Sequence, residues 1–173
     1  KWLSADDKYA FRELSFCIFT PQSSAKRCWA SVLELDSKGL LFNGSEDEIR
    51  DNMHGVRFNK RKANFLVRAR ESVMKILKPK IDSFDNSYDR RDWLVNNIKG
   101  IGYKEGSHYL RNIGLAEDLA ILDRHILKHL AENKIIESVP KSLNKKTYFN
   151  LEKKMQSYAK DINISMQHLD FLF

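Results

Sequence analysis

The sequence places three side chains with reactive or charged groups on one face of a predicted helix. Lys104, His108 and Arg111 recur at positions i, i+4 and i+7, a spacing that aligns side chains on a helix. A positive charge at Lys104, near a helix N-terminus, opposes the helix dipole, and a neutral lysine amine is a nucleophile. The pattern predicts a reactive amine, and a solvent-exposed lysine at an unfavourable position is the alternative.

The corner before this helix, IKGIG at residues 98–102, contains Gly100 and Gly102. Glycine tolerates positive φ and allows close approach to the backbone, and two helices joined by such a corner form a helical hairpin. N–H groups at the start of the second helix can hold a DNA phosphate, and Lys99 adds positive charge. No strand precedes the glycines, which argues against a dinucleotide-binding fold. A tight turn without a ligand is the alternative.

The composition sets limits on the class of protein. The 173 residues are 42% hydrophobic, enough for one compact domain or two small lobes. The net charge of +7 favours either a polyanion such as nucleic acid or an anionic membrane surface as partner. Cys17 and Cys28 have neither the spacing of a zinc site nor the number of thiols of an iron–sulfur cluster, so we expect reduced thiols. No apolar run approaches the about 20 residues of a membrane span, and no signal peptide is predicted.

Helical periodicity runs through nearly the whole chain, which predicts an all-α, two-lobed helical bundle with a cleft between the lobes. For the aromatic-rich stretch at residues 9–20, a strand is the alternative to a helix. Asp123 has the position of an N-cap for the helix predicted at residues 124–132. A second predicted helix follows the caps Ser23 and Ser24 and extends past Leu33, and Pro79 is expected to stop the helix at residues 59–77. The predicted helices with defined ranges cover residues 9–20, 45–53, 59–77, 87–98, 103–112, 124–132, 143–159 and 164–171.

The helix predicted at residues 59–77 has a basic face opposite its apolar stripe. Its members are Lys60, Arg61, Lys62, Arg68 and Arg70. The face is interpreted either as a DNA-binding surface or as an ordinary solvated surface, and the pattern does not distinguish between the two.

Taken together with Asp123, the corner resembles the helix-hairpin-helix DNA glycosylase superfamily. Residues 98–104, IKGIGYK, match its signature, and Asp123 follows Lys104 by 19 residues, about the spacing that the superfamily keeps. Residues 99–114, KGIGYKEGSHYLRNIG, and residues 11–15, FRELS, resemble the second, mostly archaeal type of 8-oxoguanine DNA glycosylase. The resemblance covers nearly the whole chain and implies one glycosylase domain over residues 1–173, with two helical lobes and the hairpin at about 88–112.

The resemblance implies a bifunctional enzyme that excises 8-oxoguanine from duplex DNA and then nicks the abasic strand by β-elimination. Lys104 is the implied nucleophile, which attacks the sugar C1′ and forms a Schiff base. Asp123 is implied to orient and help activate that amine and to stabilise positive charge on the sugar, a role compatible with capping its helix.

Further site residues follow from the same resemblance. His108 and Phe173 are expected in the base pocket, with Phe171 as an alternative to Phe173 for stacking on the guanine. Gln22 is the candidate for a wedge that fills the hole left by the extruded base, and His125 matches a phosphate-contacting histidine. An ordinary loop glutamine and a core histidine are the alternatives for Gln22 and His108.

The expected partner is double-stranded DNA containing 8-oxoguanine, bound by a monomer without a membrane partner, in the nucleoid of an archaeal-type cytoplasm. No cofactor is implied beyond a monovalent cation, which the superfamily often binds through backbone carbonyls of the hairpin, and no metal-binding side chains are predicted. Two other functions stay open: a non-catalytic hairpin module, which would need neither Lys104 nor Asp123, and a glycosylase for another oxidised base.

Overall fold

The computed structural model describes the backbone of residues 2–116 and 118–172, and the side chains of that part of the chain up to Leu169. Within it the chain forms eleven α-helices and no strand, which confirms the all-α prediction. The helices are α1 (Asp7–Phe19), α2 (Ala25–Ser37), α3 (Leu40–Asn43), α4 (Glu46–Asp51), α5 (Asn59–Val73), α6 (Leu77–Asp82), α7 (Ser87–Asn97), α8 (Tyr103–Asn112), α9 (Arg124–Glu132), α10 (Lys145–Asp161) and α11 (Met166–Leu172). None of the described helices is long and apolar enough to cross a membrane.

The buried apolar side chains form two clusters, as a two-lobed bundle requires. The first runs from Trp2 to Leu119 and the second from Ala120 to Leu169. Most of α8 packs against α1 and α7 in the first lobe, whereas Tyr103, its first residue, packs against the second cluster. The N-terminus of α8 therefore lies where the two lobes meet.

Side-chain caps define several of the helix starts. Asp123 Oδ1 accepts a hydrogen bond from Ile126 N at 2.9 Å, which confirms the predicted N-cap of α9. Ser45 and Glu48 form the predicted capping box of α4, with both reciprocal bonds present. Ser24 is at the N-cap position of α2, as predicted, but its side chain makes no capping bond.

The helix predicted over residues 59–77 is two helices, and the predicted stop at Pro79 is wrong. The first, α5, ends at Val73, and α6 begins at Leu77 with Pro79 as its third residue. In one continuous helix the ring of Pro79 would clash with the carbonyl of Lys75, four residues earlier. Starting a new helix at Leu77 puts Pro79 in a first turn, where no backbone N–H is needed.

The predicted basic face of α5 is smaller than its sequence indicates. Lys60, Arg61 and Arg68 are exposed, but Lys62 is only 4% exposed and Arg70 donates to the carbonyl oxygen of Gly44 at 2.8 Å. Lys62 and Arg70 therefore bind protein carbonyls rather than belonging to a solvated face.

Candidate active site

A cleft of about 880 Å³ lies at the junction of the lobes. Its lining consists of residues 20–25 after α1, Arg57, three residues in the first two turns of α8, and residues 122–125 at the start of α9. We call it the central cleft. Its size is within the range of pockets that bind small molecules and cofactors.

Lys104 lies in the first turn of α8, and its side chain is 22% exposed. Its Nζ is 3.4 Å from Glu105 Oε1, and Glu105 Oε2 accepts a hydrogen bond from Gly102 N at 3.3 Å. The Glu105 carboxylate is thus held at the helix N-terminus beside the amine. Sequence reasoning missed Glu105, although the three-residue spacing from Gly102 is that of a capping residue.

Asp123 also lines the central cleft, at the N-cap of α9. Its backbone N–H donates to the carbonyl of Ile121 at 2.8 Å, so the approach to the helix is a tight turn. A cap needs one carboxylate oxygen. Asp123 can therefore cap α9 and still line the cleft.

His108 lines the central cleft one turn after Lys104. Its Nδ1 is buried and has no hydrogen-bond partner among the described residues, and the ring of Phe16 meets it edge-on at a centroid distance of 5.4 Å. Burial, together with the positive charges of Lys104 and Arg111, lowers the pKa of His108 to about 3, against a smaller opposing effect of Asp123. His108 is therefore neutral at physiological pH.

We expect the His108 ring to stay neutral from pH 8 down to pH 5 in the folded protein, and NMR titration of its ring protons checks this. Its folded pKa of about 3 lies below the ordinary histidine value of 6.5, so its contribution to stability is fully present above pH 6.5 and is lost as the pH falls towards 3. Acid should consequently destabilise the wild type more than His108→Gln in urea titrations. A ring that titrates near pH 6.5 would contradict this environment.

Gln22 is exposed at the cleft and has a left-handed backbone, with φ of 55°. Such a conformation is unfavourable for a non-glycine residue and persists where its surroundings enforce it. Lys62 supplies that enforcement, since its Nζ donates to the carbonyls of Phe19 at 2.6 Å and Pro21 at 2.7 Å and to Ser23 Oγ at 3.0 Å. Burial lowers the pKa of this lysine, and the three acceptors favour its charged form.

The hairpin corner uses its two glycines differently. Gly100 has φ of 94°, and a Cβ there would lie 2.5 Å from the Phe65 ring, so glycine is required. Gly102 has φ of −100°, outside the left-handed region, and its N–H already binds Glu105. The predicted phosphate contact of Gly102 therefore competes with Glu105, whereas Lys99 is exposed.

The structure gathers most of the predicted site residues into two neighbouring places. Gln22, Lys104, His108, Asp123 and His125 all line the central cleft. The other three predicted DNA-binding residues, Lys99, Gly100 and Gly102, line a separate depression of about 550 Å³. Arg61, Phe65 and residues 95–98 complete most of its lining. Phe173 lies outside the described residues, as does the side chain of Phe171.

Comparison with known proteins gives matches over most of the chain. A family model described as 8-oxoguanine DNA glycosylase matches residues 1–164. The 8-oxoguanine DNA glycosylase/AP lyase of Fusobacterium nucleatum is 41% identical over 175 residues, covering 99% of this chain and 81% of the relative. The enzyme of that name from Methanocaldococcus jannaschii is 39% identical over 160 residues, covering 92% of this chain and 76% of the relative.

The fold is also similar to solved structures. A crystal structure of the Methanocaldococcus jannaschii 8-oxoguanine glycosylase/lyase, in complex with a 15mer DNA containing 8-oxoguanine, matches with a TM-score of 0.89 and 34% identity. The match covers 98% of this chain and 80% of that one. Both lobes and the hairpin between them are therefore shared.

Proposed function

This chain belongs to the 8-oxoguanine DNA glycosylase family, and on that premise we propose that it excises 8-oxoguanine from duplex DNA and then nicks the abasic strand. The observation that carries the proposal is the convergence of Lys104 and Asp123 on one cleft. A non-catalytic hairpin module has no need of such a cleft beside its DNA-binding corner.

Excision begins when the damaged nucleotide leaves the base stack and enters the central cleft, at a cost of a few kcal/mol. The neutral amine of Lys104 attacks C1′ of the sugar, the N-glycosidic bond breaks, and the bonding electrons leave with the base, which takes up a proton. The Asp123 carboxylate stabilises the positive charge that develops on the sugar and helps to remove the proton from the amine.

Strand cleavage follows from the covalent intermediate. Opening of the sugar ring gives a Schiff base between Lys104 and C1′. Loss of a proton from C2′ then expels the 3′ phosphate by β-elimination, and water releases the enzyme from the cleaved product. The lysine is regenerated, so the reaction needs no external oxidant or reductant.

Glu105 competes with the substrate for the amine of Lys104. The amine of Lys104 lies 3.4 Å from the Glu105 carboxylate. The amine must give up its proton before it attacks. When the sugar enters the cleft, the amine would therefore exchange its contact with Glu105 for contacts with the sugar and with Asp123.

Exchange of the lesion tests the assignment of the substrate. Excision rates are measured under single-turnover conditions on matched duplexes that contain 8-oxoguanine, guanine or an oxidised pyrimidine. We expect 8-oxoguanine to be removed fastest. A faster reaction with the oxidised pyrimidine would change the assigned base within the same fold, and no excision from any duplex would favour the binding module.

DNA binding should weaken steeply with salt, because Lys99 and the exposed arginines near the hairpin would neutralise phosphates and release counterions. Lys99→Ala is expected to reduce the slope of log K against log salt by about 1. Fluorescence anisotropy of a labelled duplex over a range of potassium chloride concentrations measures this slope. The exposed Lys153 on α10 supplies the control, and equal slopes for Lys99→Ala and the wild type would indicate a solvated charge at residue 99.

Gln22→Ala should slow excision from duplex DNA more than from a single strand, if the side chain fills the hole in the stack. The expected loss on duplex is about 10-fold, roughly the 1–3 kcal/mol of one stacking or hydrogen-bonding contact. Single-turnover rates on the two substrates give the ratio. Asn163 is a matched control, since it is also an exposed amide with positive φ. Equal losses on both substrates would exclude the wedge role.

Two further proposals concern the surroundings of the reaction. A monovalent cation at the hairpin, which the superfamily resemblance implies, would be held by backbone carbonyls, since carbonyl oxygens suit hard cations. We also propose that the protein acts in the cytoplasm at the nucleoid, since the proposed substrate is damaged duplex DNA. Its relatives include a bacterial and an archaeal enzyme, so an archaeal-type cell is not required.

A further inference from the structure

A fully buried ion pair joins α7 to α10, and neither of its residues lines the central cleft. The guanidinium of Arg91 on α7 donates two hydrogen bonds to the carboxylate of Glu152 on α10, at 2.6 and 2.8 Å, and a third to Ser107 Oγ on α8 at 3.0 Å. Arg91 is 0% and Glu152 2% exposed. Because apolar residues of similar volume are often as stabilising as a buried ion pair, we expect this pair to have a role besides stability.

Aromatic rings surround the guanidinium and connect both hairpin helices to the second lobe. The ring centroids lie 5.1 to 5.6 Å from Arg91 Cζ, and the rings belong to Tyr88, Tyr103, Tyr148 and Phe149. Tyr103 directly precedes Lys104 in the chain. The position of α8 is therefore tied to Arg91 through the Tyr103 ring in its first turn and through Ser107 in its second turn.

The same pair also reaches the segment that leads to Asp123. Glu152 Oε1 accepts a hydrogen bond from Ala120 N at 2.8 Å, and the Tyr148 hydroxyl donates to Ala120 O at 2.6 Å. Both backbone groups of Ala120 are thus bound by α10. Ala120 lies in the stretch between α8 and α9, three residues before Asp123.

We infer that Glu152, whose carboxylate is held in place by Arg91, is a positioning residue that sets Asp123 against Lys104 by binding the backbone of Ala120. We call this arrangement, formed by Arg91, Glu152, Tyr148 and Ala120, the Ala120 strap. It connects the helix that carries the amine to the turn that carries the carboxylate. The effect of the strap on the excision rate rests on the proposed function, whereas its effect on the order of residues 118–123 does not.

Two double variants separate positioning from simple stability. Removing one partner would leave a buried charge unpaired and strongly destabilise the fold, so both charges are removed together. Arg91→Met with Glu152→Gln keeps an oxygen acceptor for Ala120 N–H. Arg91→Met with Glu152→Leu has a similar volume and no acceptor. Thermal unfolding of both variants establishes that they are folded.

Hydrogen exchange of residues 118–123, followed by mass spectrometry, measures the strap without any substrate. We expect faster exchange in the Leu variant than in the Gln variant, with α8 and α9 unchanged. Equal exchange in the two variants would overturn the inference whatever the substrate is.

Single-turnover excision of 8-oxoguanine measures the consequence. A misplacement of about 1 Å can cost about 100-fold in rate, so we expect a 10- to 100-fold loss in the Leu variant, recovery to within a few-fold in the Gln variant, and unchanged duplex affinity in both. In an Asp123→Asn background the Leu variant should add no further loss, since the strap acts through that carboxylate.

Equal fractional losses in the two backgrounds would overturn the catalytic part of the inference. No excision by the wild type, combined with the expected exchange difference, would instead overturn the proposed function and leave the strap's effect on the segment established.

Discussion

Lys104→Gln is expected to abolish excision of 8-oxoguanine, with a loss on the order of 10⁴-fold or more in the single-turnover rate, as for the removal of other covalent nucleophiles. Glutamine keeps much of the length of the side chain and its hydrogen-bonding capacity but has no nucleophilic amine. The fold should be retained because the lysine side chain lies on the cleft lining and is 22% exposed. Duplex affinity should fall little, since the contacts with phosphates are unchanged.

The matched control is Lys153→Gln, which removes the same group from an exposed position on α10. This variant is expected to react at the wild-type rate. If Lys104→Gln kept an appreciable fraction of the wild-type rate, Lys104 would not be the nucleophile, and a water molecule or another amine would have to attack C1′.

Asp123→Asn is expected to lower the excision rate by about 10²- to 10⁴-fold, the range typical of a general acid–base residue, while stability stays nearly unchanged. Asparagine is as good an N-cap as aspartate, so the bond to Ile126 N at 2.9 Å can be kept. The substitution removes the negative charge that stabilises the sugar cation and helps to deprotonate the amine. Single-turnover kinetics and urea titration of the same preparation measure the two effects.

Asp123→Ala provides the comparison, because alanine removes the cap as well as the charge. It should lose about 1 kcal/mol of folding stability and react as slowly as the asparagine variant. If the asparagine variant were fully active and only the alanine variant were impaired, Asp123 would be a helix cap with no chemical role.

Helices with strong local signals could be predicted from sequence. The apolar period and the capping residues place α8 at residues 103–112 and α9 at 124–132, and the structure has these bounds. The boundary between α5 and α6 could not be predicted in this way, because Pro79 is compatible both with a helix that ends before it and with a helix that begins at Leu77.

The same limit applies to charged residues that serve the interior. By type and period Lys62 belongs to the basic face of α5, and the carbonyls that it binds come from the end of α1 and the following loop, some forty residues earlier in the chain. Arg91 and Glu152 are 61 residues apart. Tertiary contacts of this kind leave no periodic signal in the sequence.

The candidate site shows both cases. The hairpin, Lys104 and Asp123 are recognisable from sequence because together they resemble the motif of a known superfamily, and the structure places Lys104 and Asp123 on one cleft. Glu105 and Arg57 join that lining without having been singled out. Arg57 reaches the central cleft because of the path of the loop before α5. Gln22 reaches it because of the left-handed turn that Lys62 stabilises.

The covalent bond itself provides the most direct test. The wild-type protein is incubated with a duplex containing 8-oxoguanine in the presence of sodium borohydride, which reduces a Schiff base to a stable amine, and the adduct is digested and mapped by mass spectrometry. The mechanism predicts one modified peptide, with the sugar remnant on Nζ of Lys104. A remnant on a different amine, or complete excision without any trapped protein, would contradict it.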